Sequence, residues 1–308
     1  MNMNKKFLNK ITCGDSVDVI KHMDNNSVDL TVTSPPYNTL RSYKGVITDK
    51  IYDDHFSFPF VEMATELYRV TKDGGMVVWV VNDMVIDGGE SGTSFKMALK
   101  FMDLGFKLYD TMIYQKNGSA YHETGRYNQN FEYMFVMLKG KRPNCVNLIR
   151  DKKNRWAGSK TFGTPSTRQK DGTIKKMKEG FTVGEYGTRE NIWYILNGKG
   201  YGGDKDSHKH PASFPFSLAE DHILSWSNPG DIVLDPMIGG GTTAIAAKMN
   251  NRNYIGIDIN QEYVDISNNR LDSVKPYSDL TPNPKVEFIL SREDALLKRK
   301  KTKENGSK

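Results

Sequence analysis

A chain of 308 residues has room for one large α/β domain with an insertion or for two small domains, and its 37% hydrophobic content suffices for one sizeable core. No run approaches the ~18 apolar residues of a membrane span, and the basic start Met1-Asn2-Met3-Asn4-Lys5-Lys6 lacks a signal peptide's apolar stretch, so a cytoplasmic location is expected. The net charge is +6, and the two cysteines, Cys13 and Cys145, show no Cys-x-x-Cys spacing, which excludes a disulfide framework and leaves no zinc site to expect.

In chain order, residues 7–12 form a short apolar stretch ending at Gly14-Asp15. Residues 28–33 are β-branched and compact, the pattern of a buried strand, and Ser34-Pro35-Pro36-Tyr37 closes them. Residues 58–70 place apolar side chains at helical spacing until Lys72-Asp73-Gly74-Gly75 stops them. Residues 76–81 are almost continuously apolar, as in a parallel strand covered on both faces. A helix is predicted over 94–102, and strands over 107–114 and 132–138.

From Lys139 to about His208 the periodicity fails. Between Lys139 and Lys209 there are 17 Lys/Arg against 7 Asp/Glu, an excess of +10, while the rest of the chain holds 26 against 30. Aromatic and amide side chains interleave with the charges, as in Arg155-Trp156 and Asn191-Ile192-Trp193-Tyr194, which points toward nucleic acid. A stretch this long without regular structure reads as an inserted functional region.

Regular order returns with a helix from about Ser217, a strand over 231–234, a helix over 242–249, a strand over 253–257 and a helix over 261–271. The alternation predicts a doubly wound, mostly parallel, Rossmann-like sheet. The expected division is 1–138 and 209–275 as two halves of one core, 139–208 as the insert, and 276–308 as a C-terminal extension with a basic tail.

Asp235-Pro236-Met237-Ile238-Gly239-Gly240-Gly241-Thr242-Thr243 places three glycines between a strand and a helix, where backbone can approach a nucleotide-like cofactor closely. Asp258 ends the next strand, in position to accept hydrogen bonds from ribose hydroxyls. A dinucleotide fold competes with this reading, because GxGxxG tolerates the Ala244 that stands at its third glycine, although the Thr242-Thr243 pair and the preceding Asp235-Pro236 suit that fold less well. A P-loop is excluded, since no Gly-Lys-Ser/Thr follows.

Taken together, Ser34-Pro35-Pro36-Tyr37, the glycine loop and Gly256-Ile257-Asp258 resemble the DNA N4-cytosine/N6-adenine amino-methyltransferases, in the permuted order with the catalytic loop first. The resemblance covers residues 8 to 272 and spares the insert. It implies S-adenosyl-L-methionine as cofactor, double-stranded DNA as partner, and Asp235, Pro236, Met237, Gly239, Gly241, Thr242, Thr243 and Asp258 around the cofactor. Met237 departs from the family's usual Phe. By the same resemblance Asp15 lies near the adenine amine, and His210 and Phe214, in His210-Pro211-Ala212-Ser213-Phe214-Pro215, line the methionine end. Glu132 and Arg189-Glu190-Asn191-Ile192-Trp193 match softer family patterns.

The chemistry this implies is demanding, because an exocyclic amine is a poor nucleophile while its lone pair is delocalised into the ring. Ser34 Oγ and the Pro35 carbonyl are acceptors for its hydrogens, two prolines fix where those oxygens point, and Tyr37 offers an aromatic face to a flipped base. Asn38 adds a polar contact, and residues 39–57 are expected to form a loop over the base. Ser34 rather than Asp favours cytosine N4, with adenine N6 the alternative. Cytosine C5 chemistry needs a thiolate nucleophile in a Pro-Cys loop, which neither cysteine provides. An RNA or small-molecule methyltransferase and a non-catalytic DNA-binding paralogue stay open, as do a restriction endonuclease partner and a monomeric or homodimeric state.

Overall fold

Eight strands make one central sheet in the computed structural model, which describes residues 3–36, 56, 58–118, 125–160, 166–176, 182–196 and 215–279. They are β1 (Lys10–Cys13), β2 (Val28–Thr33), β3 (Thr71–Val81), β4 (Lys107–Gln115), β5 (Phe131–Leu138), β6 (Ile192–Tyr194), β7 (Ile232–Asp235) and β8 (Asn253–Asp258). Their order across the sheet is β1-β8-β7-β2-β3-β5-β4-β6. Neighbours from β1 to β3 run parallel, β5 is antiparallel to both β3 and β4, and β6 is parallel to β4. The predicted doubly wound, mostly parallel sheet is the observed one.

The apolar run of β3 is explained by burial on both faces. Val77, Trp79 and Val81 pack on one side with α2 (Phe60–Val70) and α3 (Thr93–Asp103), where Trp79 meets Phe60 and Phe101 at 5.6 and 5.2 Å between ring centres. Met76, Val78 and Val80 face the other side, against α4 (Phe216–Trp226) and α5 (Thr242–Met249). A strand serving two cores has no polar face to alternate with. In α2 the buried residues Phe60, Met63, Ala64, Leu67 and Val70 form one helical stripe, and the chain turns directly from its end into β3.

Strand β3 therefore starts earlier than its apolar run, at Thr71. Gly74 takes a left-handed φ of +80°, and a Cβ on Gly75 would lie 2.8 Å from the Asp29 carbonyl oxygen of the neighbouring strand. These glycines let β3 join β2 across a register shift rather than ending an element. The short helix α1 (Ser16–Lys21) was not predicted, having only Val17 and Ile20 buried. Helix α6 (Gln261–Asp272) covers the β1 edge with Val264 and Leu271.

From β7 the chain winds through α5 to β8 on one side, and from β2 through α2 to β3 on the other. The winding reverses between β7 and β2, which makes the carboxyl ends of these two strands a topological switch point, the usual ligand crevice of an open α/β sheet.

Candidate active site

The two motifs separated by two hundred residues meet at that switch point. Thr33, the last residue of β2, donates its Oγ1 hydrogen to Asp235 Oδ1 at 2.7 Å, and Asp235 is the last residue of β7. Thr243, in the first turn of α5, donates to Asp235 Oδ2 at 2.7 Å, and the Met237 amide donates to Oδ1 at 3.1 Å. The carboxylate is 1% exposed, and burial pushes its pKa up to about 6 despite these donors. Asp235 is thus the buried knot that fixes Ser34-Pro35-Pro36 beside the glycine loop.

The loop itself is braced from behind. Gly239 N donates to Asp258 Oδ2 at 2.9 Å, Ile238 N donates to Ile257 O at 2.9 Å, and Gly239 O accepts from Ser267 Oγ at 2.6 Å. Arg270 donates to Gly240 O, and Ser16 Oγ donates to Pro236 O. Ser16, Ser267 and Arg270 escaped the sequence reading, although Ser267 and Arg270 are one helical turn apart on α6 and so share a face. The first turn of α5 has no side-chain cap hydrogen bond, so it keeps the amide donors and the partial positive charge of a helix start.

Asp258 is the carboxylate best placed to take a ligand. Among the described residues its Oδ1 accepts from the Asn260 amide at 2.9 Å and its Oδ2 from the Gly239 amide, which leaves lone-pair capacity for hydroxyl donors. Burial raises its pKa. Asp15 lies at the end of β1, where its Oδ1 caps α1 through the amides of Val17 at 2.9 Å and Asp18 at 3.2 Å. The Gly14 amide donates to Asp258 O at 2.9 Å, which brings Asp15 to the same edge. Met237 is partly buried against the core on the α2 side, and Thr242 is buried.

Ser34 is half-buried, Pro35 buried and Pro36 half-buried. Tyr37, Asn38, His210 and Phe214, and residues 39–57 apart from Phe56, lie outside the described residues. Glu132 starts the antiparallel β5 and so shares this edge of the sheet, where it forms an ion pair of 2.6 Å with Lys116.

The glycine loop yields a sharp expectation. Gly241 has a φ of +85°, and a Cβ there would stand 3.0 Å from Ser267 Cβ on α6. Gly241→Ala should destabilise the fold by about 1–3 kcal/mol and weaken cofactor binding, because relief of the clash moves Gly239 and Gly240. Denaturant unfolding and cofactor titration check this, and unchanged affinity would show the loop to be remote from the ligand.

The sequence profile of a DNA methylase family of the N6/N4 type matches residues 28–269. The orphan methyltransferase M.BamHII of Bacillus amyloliquefaciens is 51% identical over 246 residues, which cover 80% of this chain and 89% of that protein. Among solved structures, the PvuII DNA methyltransferase (cytosine-N4-specific) superposes with a TM-score of 0.61 at 20% identity, over 84% of this chain and 85% of that one. The M1.HpyAVI–SAM complex superposes at 0.58 with 23% identity, over 85% of this chain and 98% of that one. These likenesses bear out the fold and the resemblance carried by the Ser34 and glycine-loop motifs, and the chain belongs to the N6/N4 DNA methylase family.

Proposed function

We propose that this DNA methylase transfers the methyl group of S-adenosyl-L-methionine to the N4 amine of a cytosine flipped out of duplex DNA. The observation that carries the reading is the Thr33–Asp235–Thr243 knot, which holds Ser34-Pro35-Pro36 beside the glycine loop at the switch point. Asp258, Gly239, Gly241 and the start of α5 would hold the cofactor, with Asp235 and Pro236 supporting the loop from beneath and Met237, Thr242 and Thr243 as its neighbours. When bound, the cofactor supplies an electrophilic methyl group on a sulfonium.

The protein's own contribution is position and hydrogen-bond acceptance. Ser34 Oγ and the Pro35 carbonyl accept the amine's hydrogens, which frees its lone pair for in-line attack. Tyr37 stacks on the extruded base, His210 and Phe214 line the methionine end, and Asp15 lies near the cofactor's adenine. Duplex is held by the basic residues 139–208. Serine rather than aspartate at position 34 favours cytosine. The 51% identical relative is an orphan methyltransferase, which favours methylation without a dedicated endonuclease.

The test is product identity. After incubation with the cofactor and unmodified genomic DNA, mass spectrometry of the digested nucleosides should reveal N4-methylcytosine. N6-methyladenine would keep the mechanism and overturn the base, whereas binding of cofactor with neither product would transfer the reading to RNA or a small molecule.

A further inference from the structure

The described residues between 147 and 194 leave and re-enter the core as a two-stranded neck. Inbound, the Asn147 amide donates to Ser225 O at the end of α4 at 2.8 Å. Outbound, Ile192–Tyr194 becomes strand β6 against β4. Between them Lys152 and Lys153 pair with Gly187 and Tyr186, the Arg189 amide donates to Ile149 O at 2.9 Å, and Lys152 pairs with Glu190. Beyond the neck lie Trp156, 67% exposed with the Arg155 guanidinium 5.5 Å from its ring, and a hairpin of Ser166–Arg168 with Ile174–Lys176 that exposes Arg168, Lys170 and Lys175.

One side chain joins both stems to the core. Arg189, on the outbound stem, donates from Nε to Asp151 Oδ1 and Oδ2 at 3.0 and 3.1 Å and from Nη2 to the same carboxylate, which belongs to the inbound stem. Its Nη1 reaches Asp221 Oδ2 on α4 at 2.6 Å. The guanidinium lies 5.1 Å from the Trp193 ring centre, and Trp193 packs on His222 of α4 at 4.6 Å. The Arg189 side chain is only 18% exposed and Asp221 only 6%. Such a buried ion cluster is weak evidence for stability, since a well-packed apolar set of equal volume often serves the fold as well. What it does specify is geometry, because a planar five-donor fork satisfies two carboxylates on separate segments in one orientation.

We propose that Arg189 is a positioning residue for target recognition, the clasp that sets the basic insert at one fixed attitude on α4. The proposal rests on the reading that the insert binds DNA. A small tilt at the neck displaces the far tips, where Trp156 and the hairpin lie, and a displacement of about an ångström is enough to spoil recognition. Helix α4 also follows His210-Pro211-Ala212-Ser213-Phe214-Pro215 directly in sequence, so the clasp ties the insert to the cofactor half of the core.

The test uses the full-length protein and unmodified bacterial genomic DNA, sequenced for the position of methylation. Arg189→Met removes the fork, Arg189→Met with Asp221→Asn also removes the carboxylate it would strand, and Arg189→Lys keeps charge without the fork. For the first two, the KM for DNA should rise about tenfold and the range of methylated sequences should widen, with cofactor affinity held within about twofold. Arg189→Lys should fall between them and the native protein. Lys170→Glu with Lys175→Glu tests the underlying reading. If that variant leaves the KM for DNA unchanged, the insert does not bind DNA. If it raises the KM while the Arg189 variants keep native KM and sequence range, the clasp alone is overturned. Equal losses of cofactor and DNA affinity in the Arg189 variants would reduce the residue to a fold-stabilising one and overturn it as well.

Discussion

Replacing Ser34 by alanine should slow the single-turnover methyl transfer roughly a hundredfold while leaving cofactor affinity unchanged. The loss follows from the amine's electronics. Attack on the methyl group needs a nitrogen lone pair that is otherwise shared with the ring, and acceptors for the two N–H hydrogens localise it. Two such acceptors stand at the end of β2, the Ser34 hydroxyl and the Pro35 carbonyl. Alanine removes the first and leaves the second, so the reaction is weakened rather than abolished. Cofactor affinity is spared because the link between β2 and the glycine loop runs through Thr33 and Asp235, one residue earlier. Rapid-quench measurement of the chemical step is required, since product release can mask a slower transfer. A rate within fivefold of the native one would remove the hydroxyl from the mechanism. A parallel loss of cofactor binding would recast Ser34 as a structural residue of the loop.

Much of this arrangement is legible in the sequence, for a physical reason. Strands buried on both faces, β2, β3, β7 and β8, announce themselves as apolar runs and the helices α2 and α6 carry single stripes, so these elements follow from local pattern, whereas α4 and α5 are buried nearly all round and show no stripe. The two motifs also stand at strand ends, where a parallel sheet brings them to one edge. What local pattern cannot carry is pairing across long stretches of chain. Thr33 and Asp235 are 202 residues apart and meet only because β2 and β7 are neighbours. Asp235 reads in sequence as a cofactor residue like those after it, and its carboxylate also accepts from Thr33, Thr243 and the Met237 amide, which no local pattern shows. Strand β6 has three residues in an exposed-buried-exposed pattern, too short for any periodicity, and its pairing with β4 is a tertiary fact. The Arg189 cluster is hidden in the same way, because its partners Asp151 and Asp221 lie 38 and 32 residues away.

Two buried titratable groups should shape acid stability with opposite signs. His222 is fully buried on α4, where its Nδ1 accepts from Trp226 Nε1 at 3.3 Å. Burial, with the Arg189 charge nearby, lowers its pKa from 6.5 to about 3. As pH falls from 6.5 the unfolded chain binds a proton that the native state refuses, so native stability drops, by on the order of 5 kcal/mol once pH 3 is reached. Asp235 acts in reverse. Its pKa is raised from 3.8 to about 6, so between pH 6 and 3.8 the native state binds the proton first and gains on the order of 3 kcal/mol. The two slopes oppose each other from about pH 6 to 4, and below that the histidine acts alone. Asp235→Asn keeps an acceptor for Thr33 and the Met237 amide, and the Thr243 hydroxyl can turn to accept from the new amide. Relative to the native protein, this variant should therefore lose stability more steeply on acidification from pH 6 to 4. His222→Gln keeps an acceptor for Trp226 and removes the histidine's opposing effect, so over the same window its stability should rise relative to the native protein as pH falls. Urea unfolding from pH 7 to 4 reads both difference curves. A flat curve for Asp235→Asn would mean that the aspartate is ionised in the native state throughout, with its three donors outweighing its burial.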